Sequence, residues 1–238
     1  LFSMVAAIAG AIVVGDFDSE EILNKVVKEF DFKGRKNSPR RVNEIDTPVQ
    51  EKKVISSTAH VNTAYFMYGW LGPKACDIKG TICLDMISII FGDGTSSRLY
   101  QNLVEKIKEP VFNVISSEHY QFKDGNNFFV QANCKPEKID YAIELVEKEL
   151  SGLLDNPISK AEVLKAKKKI KSRFAYSAET VSEIGETIGY YTTVCDDLKL
   201  IEEYLKDLES ITVEDLNDTI RKYLNVNNSV LSILMPEK

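Results

Sequence analysis

Histidine is a common metal ligand and general base near neutral pH, and this sequence contains two, His60 and His119. Neither has a second nitrogen or thiolate ligand at the spacing that a metal site needs. Residues 115–119, Ile-Ser-Ser-Glu-His, copy the end of the zinc motif H-x-x-E-H. That motif works on a helix, where residues four apart share a face. This segment alternates like a β-strand, which would separate Ile115 from His119 by about 13 Å. The sequence therefore predicts no metal site, and it offers no Ser-His or Cys-His catalytic pair.

The composition is that of an ordinary globular protein, with 44% hydrophobic and 28% charged residues among 238. A net charge of -6 opposes general binding to nucleic acid. The four cysteines lack C-x-x-C spacing, so we expect reduced thiols and a reducing compartment such as the cytoplasm. They are Cys76, Cys83, Cys134 and Cys195. The apolar run 5–14 is shorter than the roughly 20 residues that a membrane-spanning helix needs, so we expect a buried strand and no membrane partner.

A glycine turn that leads into an amphipathic helix is the most distinctive segment of the chain. Gly92 and Gly94 allow a sharp backbone turn, and Thr95 or Ser96 can cap the helix that follows. The helix is predicted to carry one apolar stripe, formed by Leu99, Tyr100, Leu103, Val104 and Ile107. This segment would set the angle between two buried helices.

Periodicity and capping signals predict strands and helices that come mostly in pairs. Capping-box spacing predicts helix starts at Asp18 with Glu21, Ser159 with Glu162, and Thr212 with Asp215. The predicted strands cover 5–14, 53–60, 63–71, 112–120, 127–133 and 229–235. The predicted helices cover 18–30, 77–91, the segment after the glycine turn, the segment after Pro136, 159–178, 179–194, 198–208 and 213–224. Gly125 and Asn126 suit positive φ angles in the turn between two strands. This order predicts an α+β fold, with a mostly antiparallel sheet packed against a layer of helices.

Three segments together resemble a known family. They are 63–73 (TAYFMYGWLGP), 91–106 (FGDGTSSRLYQNLVEK) and 111–117 (VFNVISS). The chain resembles the C-terminal half of an insulinase/pitrilysin-type zinc metallopeptidase, similar to the mitochondrial processing peptidase. The resemblance implies two similar domains in tandem, of which the first is truncated here.

The implied domain division has three parts. Residues 1–31 would hold the closing strand and helix of the preceding domain, 32–51 a linker, and 52–238 the complete C-terminal domain. The half of such a peptidase that normally carries the zinc would precede this chain.

The resemblance also locates residues for comparison with the family. Many C-terminal halves carry an Arg and a Tyr that hold the substrate backbone, and Val104 and Phe112 stand at or near those positions here. We therefore predict no catalytic residue and no metal ligand in this chain. Tyr65, Phe66, Tyr68 and Trp70 lie in the second predicted strand, where one face should pack in the core and the other could line a chamber that receives extended peptide. The candidate chamber residues are therefore Val104, Phe112, Tyr65 and Tyr68, and the structural signature residues are Gly92, Gly94, Arg98 and Tyr100.

The sequence thus predicts a non-catalytic C-terminal domain that forms one wall of a peptide-enclosing chamber in a zinc metalloendopeptidase. Alone, the chain should be inactive, and zinc is expected in the N-terminal half or in a homologous partner subunit. The expected partners are that half or subunit, in a dimer of the full-length protein, and unfolded peptides. One alternative is a peptidase-derived structural or assembly subunit without proteolytic activity, and another is a stand-alone peptide-binding module.

Overall fold

The computed structural model describes residues 12–29 and 46–237. The strands are β1 (Lys53–Ala59), β2 (Ala64–Leu71), β3 (Phe112–Tyr120), β4 (Asn127–Cys134) and β5 (Val230–Pro236). The helices are α1 (Ser19–Glu29), α2 (Ile78–Gly92), α3 (Arg98–Tyr100), α4 (Ile139–Asp155), α5 (Lys160–Tyr176), α6 (Val181–Thr193), α7 (Lys199–Ser210) and α8 (Val213–Tyr223). The predicted α+β fold is confirmed.

The five strands of this part of the chain form one sheet in the order β1-β5-β2-β4-β3. Strands β1 and β5 are parallel, and the other neighbours are antiparallel. The strand after α8 therefore returns to the middle of the sheet, between the first two strands of the domain. This leaves β1 and β3 as the two edges.

Helices cover one face of the sheet. Alternate residues of β2 are buried on that face, and so are the residues of β4 that pair with them. Because side chains alternate along a strand, the other residues of these strands point to the opposite face. The core continues into α2, which is apolar on all sides and has ten buried residues, as expected for a helix enclosed by other elements.

The caps of two long helices follow the sequence prediction. Ser159 accepts a hydrogen bond from the backbone of Glu162, and Thr212 accepts one from Asp215, with the reciprocal side-chain bonds present in both. At the start of α1, Asp18 Oδ1 accepts from the backbone N–H of Glu21 at 2.8 Å. Short polar side chains at these positions satisfy N–H groups that a helix leaves without partners.

The helix after the glycine turn differs from its prediction. Ser97, and not Thr95 or Ser96, precedes the helix, and its side chain donates back to the Gly94 carbonyl instead of capping. The helix has one short α-helical stretch and continues as a π-helix over Gln101–Glu105. The wider π turn breaks the regular spacing, so Leu99 and Leu103 are buried while Val104 is 37% exposed.

The two glycines of this turn have separate functions. A Cβ on Gly92 would lie 2.2 Å from the backbone N of Ser117, so the end of α2 can approach β3 this closely only without a side chain. Gly94 has a φ of +89°, in the region that glycine adopts without strain. The first glycine therefore permits packing, and the second permits the turn.

The prediction of positive φ angles at Gly125 and Asn126 is wrong, because among the described residues Gly94 and Asp196 have them. Asn126 instead holds the β3–β4 turn with its side chain and is fully buried. Its Oδ1 accepts from the Phe122 backbone N–H, and its Nδ2 donates to Thr81 in α2. The turn is thus stabilised in part by a hydrogen bond to α2, which the sequence of the four turn residues does not predict.

The predicted strand 5–14 lies mostly outside the described residues, and its last residues, 12–14, have no regular structure. The predicted linker 32–51 likewise lies mostly outside them, and residues 46–50 form no helix or strand. No helix in the ranges 12–29 and 46–237 is long and apolar enough to cross a membrane. The division into three parts stays a prediction.

Candidate functional site

The sheet face opposite the helices carries a row of three apolar side chains and one amide side chain. In the strand register, Leu234 of β5, Tyr65 of β2, Asn133 of β4 and Val114 of β3 lie side by side across four neighbouring strands. Tyr65 is 42% exposed and Val114 is 56% exposed. A sheet face with large apolar groups open to solvent is typical of a surface that contacts a ligand or another protein.

These side chains line a groove of about 330 Å³. The lining residues are Tyr65, Phe66, Met67, Val114, Gln131, Ala132, Asn133, Ser232 and Leu234. The Asn133 Oδ1 atom is shielded from solvent and has no hydrogen-bond partner among the described residues. A shielded acceptor without a donor lowers the stability of the folded protein. The groove therefore combines an apolar surface with an acceptor that lacks an N–H or O–H donor.

The four predicted chamber residues do not share one surface. Tyr65 lines the groove, whereas Tyr68 points to the opposite face and is fully buried in the core. The Tyr68 hydroxyl donates to Glu147 at 2.6 Å, and Lys52 also donates to this carboxylate. Burial, together with Glu147, raises the pKa of Tyr68. The phenol of Tyr68 therefore has a structural role in the core and does not face the groove.

The other two predicted chamber residues lie elsewhere as well. Phe112 is partly buried and packs against the core at the start of β3. Val104 lies on the π-helical segment after α3 and is not part of the groove lining. Neither side chain carries a polar hydrogen to hold a peptide carbonyl, as the sequence already indicates.

Among the signature residues, Arg98 joins the start of α3 to the loop before α5. Its guanidinium donates to both Glu162 oxygens, at 2.7 and 3.0 Å, and to the carbonyls of Asn156 and Pro157. Burial opposes ionisation of Glu162, but hydrogen bonds from Arg98 and Ser159 outweigh it and lower the carboxyl pKa to about 2. Tyr100 is partly buried beside a second, larger cavity.

The two histidines lie in different environments. The His60 side chain is 93% exposed and contacts Glu237, whereas the His119 side chain is 1% exposed and contacts Asp85. Within the described part of the chain, no group of three or more His, Cys, Asp or Glu residues could hold a metal ion. These residues therefore do not fit the zinc site of a peptidase.

Sequence reasoning missed most of the groove. Val114 and Leu234 are ordinary alternating strand residues, and Asn133 ends a predicted strand. Nothing in one sequence tells that β5 enters the sheet beside β2, which brings Leu234 next to Tyr65. The alternation of aromatic residues in β2 was the one local signal, and it led to Tyr65.

Comparison with known proteins gives the context of this arrangement. The chain is 26% identical over 235 residues to the zinc protease PqqE of Helicobacter pylori, covering 94% of this chain and 51% of that protein. It is 20% identical over 205 residues to the probable inactive metalloprotease YmfF of Bacillus subtilis, covering 86% of this chain and 46% of that protein. A third relative is the probable mitochondrial-processing peptidase subunit alpha-1 of Arabidopsis thaliana, 26% identical over 136 residues, which are 56% of this chain and 26% of that protein.

Solved structures have the same fold. A protease from Helicobacter pylori superposes with a TM-score of 0.79 at 22% identity, over 94% of this chain and 54% of that one. A chain in the structure of complex III2 from Candida albicans superposes with a TM-score of 0.74 at 16% identity, over 92% of this chain and 53% of that one. At these identities the likeness concerns the fold alone.

The chain spans about half the length of the first two relatives, 51% and 46%. A family model described as the peptidase M16 inactive domain matches residues 6–170, which is more than half of the chain. The chain therefore belongs to the peptidase M16 family of zinc proteases and carries its inactive, non-catalytic C-terminal domain.

Proposed function

We propose that this domain forms one wall of a chamber that encloses unfolded peptides in a zinc-dependent peptidase. It supplies contacts to the peptide and no catalytic group. Zinc and the carboxylate that activates water come from the N-terminal half of the same protein or from a homologous zinc-bearing subunit. The observation that carries the proposal is the apolar groove on the uncovered sheet face, with the shielded acceptor of Asn133 inside it.

An extended peptide matches both properties of the groove. Its side chains alternate, so every second one can pack on Tyr65 and Val114. Its backbone N–H groups are donors, and one of them can satisfy the Asn133 Oδ1 atom once the amide side chain turns toward the peptide. These contacts use the peptide backbone and general apolar surface, which suits a wall that accepts many sequences.

The relatives support the peptidase context and the subunit arrangement. One is named a zinc protease, and another is named a subunit of a processing peptidase. By analogy, the full-length protein pairs with a homologous chain, and we propose a dimer. The sheet face with the groove then points toward the enclosed space, while the helix layer faces outward.

A second candidate is a peptidase-derived structural or assembly subunit with no proteolytic activity. The relative named a probable inactive metalloprotease favours it. Metal analysis and peptide turnover of the full-length protein separate the two candidates. Bound zinc with turnover supports the chamber wall of a peptidase, and a protein that neither retains zinc nor cleaves peptides supports the structural subunit.

The groove is tested by substitution of its exposed tyrosine. We expect Tyr65→Ser to weaken binding of a fluorescein-labelled unstructured peptide about 5-fold or more, because interface aromatics contribute much of the binding energy. Tyr141→Ser is a matched control, since Tyr141 is 51% exposed but lies on α4 in the helix layer. Fluorescence anisotropy measures the dissociation constants, and equal affinities for all three proteins would contradict a peptide site in the groove.

A further inference from the structure

A second cavity, of about 880 Å³, lies on the helix side of the sheet beside the edge strand β3. It is an open cavity lined mainly by residues of β3, α2, α5, α6 and α7, and it shares no lining residue with the groove. Its size falls within the range of about 300–1,000 Å³ that is common for small-ligand sites. Aromatic rings provide much of the lining, namely Tyr100, Tyr120, Phe174, Tyr190, Tyr191 and Tyr204.

A hydrogen-bonded polar cluster lies in the wall of this cavity. Asp85, from the middle of α2, accepts from Gln121 Nε2 at 3.0 and 3.1 Å and from the Tyr204 hydroxyl at 3.5 Å. Its Oδ1 also lies 2.7 Å from Nδ1 of His119. A carboxylate can accept hydrogen bonds but not donate them, so Nδ1 of His119 carries a proton. The cluster therefore sets the tautomer of the imidazole.

The other ring nitrogen of His119 has no partner. Its Nε2 atom makes no hydrogen bond within residues 12–29 and 46–237, although the side chain is only 1% exposed. With the proton on Nδ1, Nε2 of the neutral ring is an acceptor. A buried acceptor without a donor is unfavourable, so a ligand that enters the cavity, displaces the side chains that cover this atom and brings an O–H or N–H group to it gains a hydrogen bond that the protein alone does not make.

The charges of the lining restrict the ligand further. The lining has four acidic residues and one basic residue, Asp85, Asp93, Glu118, Glu186 and Arg173. The basic residue is already paired, because Arg173 binds Asp93. Carboxylate and phosphate ligands would meet a negative surface without a free cation in the lining, so the lining disfavours anionic ligands.

The rings select for an aromatic ligand. Phe174 and Tyr204 are stacked with centroids 5.7 Å apart, and Tyr190 and Tyr191 meet edge to face at 5.2 Å. The hydroxyls of Tyr190 and Tyr204 already donate within the cluster, to Gln121 and Asp85. They keep the ring edges in place, and neither hydroxyl donates to His119 Nε2. An aromatic ring adds contact with such a lining beyond simple area burial.

We propose that this cavity binds an aromatic side chain that ends in an O–H or N–H donor, such as that of tyrosine, with the donor on His119 Nε2. The inference rests on the proposed function, because the side chain belongs to the peptides that the chamber encloses. Ser116, Glu118 and Tyr120, which alternate onto the groove face of β3, also border the cavity, so a peptide on the sheet face can reach its opening.

Protein whose histidines are labelled with ¹⁵N gives a direct test by NMR. The sequence has two imidazoles, and the exposed His60 serves as an internal reference for His119. N-acetyltyrosinamide and N-acetylphenylalaninamide are probes that differ by one hydroxyl. We expect the tyrosine probe to shift the ¹⁵N resonance of His119 Nε2, and the His60 resonances to stay unchanged. We also expect it to bind about 10-fold more tightly than the phenylalanine probe, because it satisfies the buried acceptor.

His119→Phe is the second arm, and it should abolish the difference in affinity between the two probes. An Nε2 resonance that neither probe shifts would overturn the proposal and would mean that water or the chain itself occupies the site. Equal affinities for the two probes in the wild-type protein would overturn it as well. These probes do not need the groove, so their failure is distinguishable from failure of the Tyr65→Ser test.

Discussion

Arg98 is the residue through which the glycine turn is attached to the rest of the domain. Four hydrogen bonds connect its guanidinium to Glu162 and to two carbonyls of the loop before α5. A planar guanidinium can make these bonds at once, which an ammonium cannot. The presence of Arg98 among the signature residues therefore has a structural explanation that involves no contact with substrate.

We predict that Arg98→Ala lowers the free energy of unfolding by about 2 kcal/mol, because a partly buried carboxylate and two carbonyls lose their donors. Arg221→Ala is the matched control, since Arg221 forms exposed ion pairs with Glu214 and Asp218 and should cost less than about 0.5 kcal/mol. Urea denaturation at pH 7 measures both changes. Equal effects of the two substitutions would contradict a structural role specific to Arg98.

The ion pair between Arg98 and Glu162 predicts that the stability of the fold depends on pH. Because the pKa of Glu162 is lowered from 4.5 to about 2 in the folded protein, its ionised form stabilises the fold above the unfolded pKa. That contribution is lost as the pH falls from about 4.5 through 2. Arg98→Ala should reduce the slope of stability against pH in this window, and denaturation between pH 2 and 5 measures it. An unchanged slope would show that Arg98 does not set this pKa.

At the scale of elements, the contact between the end of α2 and β3 fixes how the helix layer lies on the sheet. Gly92 approaches the Ser117 backbone, and the Ser117 hydroxyl donates to the Ser88 carbonyl one turn earlier in α2. The same helix contributes Asp85, which forms hydrogen bonds with His119 near the end of β3 and with Gln121 directly after it. Strand β3, which α2 holds in place, thus lines the cavity and contributes Val114 to the groove.

Gly92→Ala should therefore be severely destabilising, by about 3 kcal/mol or more, because the new Cβ meets backbone that cannot move without shifting a strand. Gly152→Ala in α4 is the control, since its Cβ would lie 3.6 Å from Asn156 Nδ2, an ordinary contact. Alanine is the better helix former, so this change should be neutral or stabilising by up to about 1 kcal/mol. Thermal and urea denaturation compare the two, and a Gly92→Ala protein as stable as the wild type would refute the close packing.

At the scale of the whole molecule, local signals predicted much of the fold. The capping boxes at Ser159 and Thr212 depend on side chains three residues apart, so a sequence reading finds them. The α+β class follows from the order of strands and helices. The π-helix after α3 and the tertiary bonds of Asn126 were not predictable in this way, because they depend on packing against α2 and β3.

The candidate sites depend on contacts between distant parts of the chain. Tyr65 meets Leu234 only because β5 inserts beside β2, and His119 meets Asp85 across 34 positions. The sequence identified the absence of a zinc motif and the family, but its chamber residues fell on both faces of the sheet. Tyr65 and Tyr68 are three residues apart in β2, so strand alternation alone places them on opposite faces. Strand order and register then decide which side chains of neighbouring strands share a surface.

A single titration that records binding and cleavage together tests whether this domain is a non-catalytic peptide-binding wall. A labelled unstructured peptide is added to the chain with Zn²⁺ present, anisotropy follows binding, and mass spectrometry follows the length of the peptide. We expect saturable binding with an intact peptide, because the proposed peptide site is the groove and the described residues supply no zinc site. Cleavage by the chain alone, or no binding at any peptide concentration, would contradict a non-catalytic peptide-binding wall.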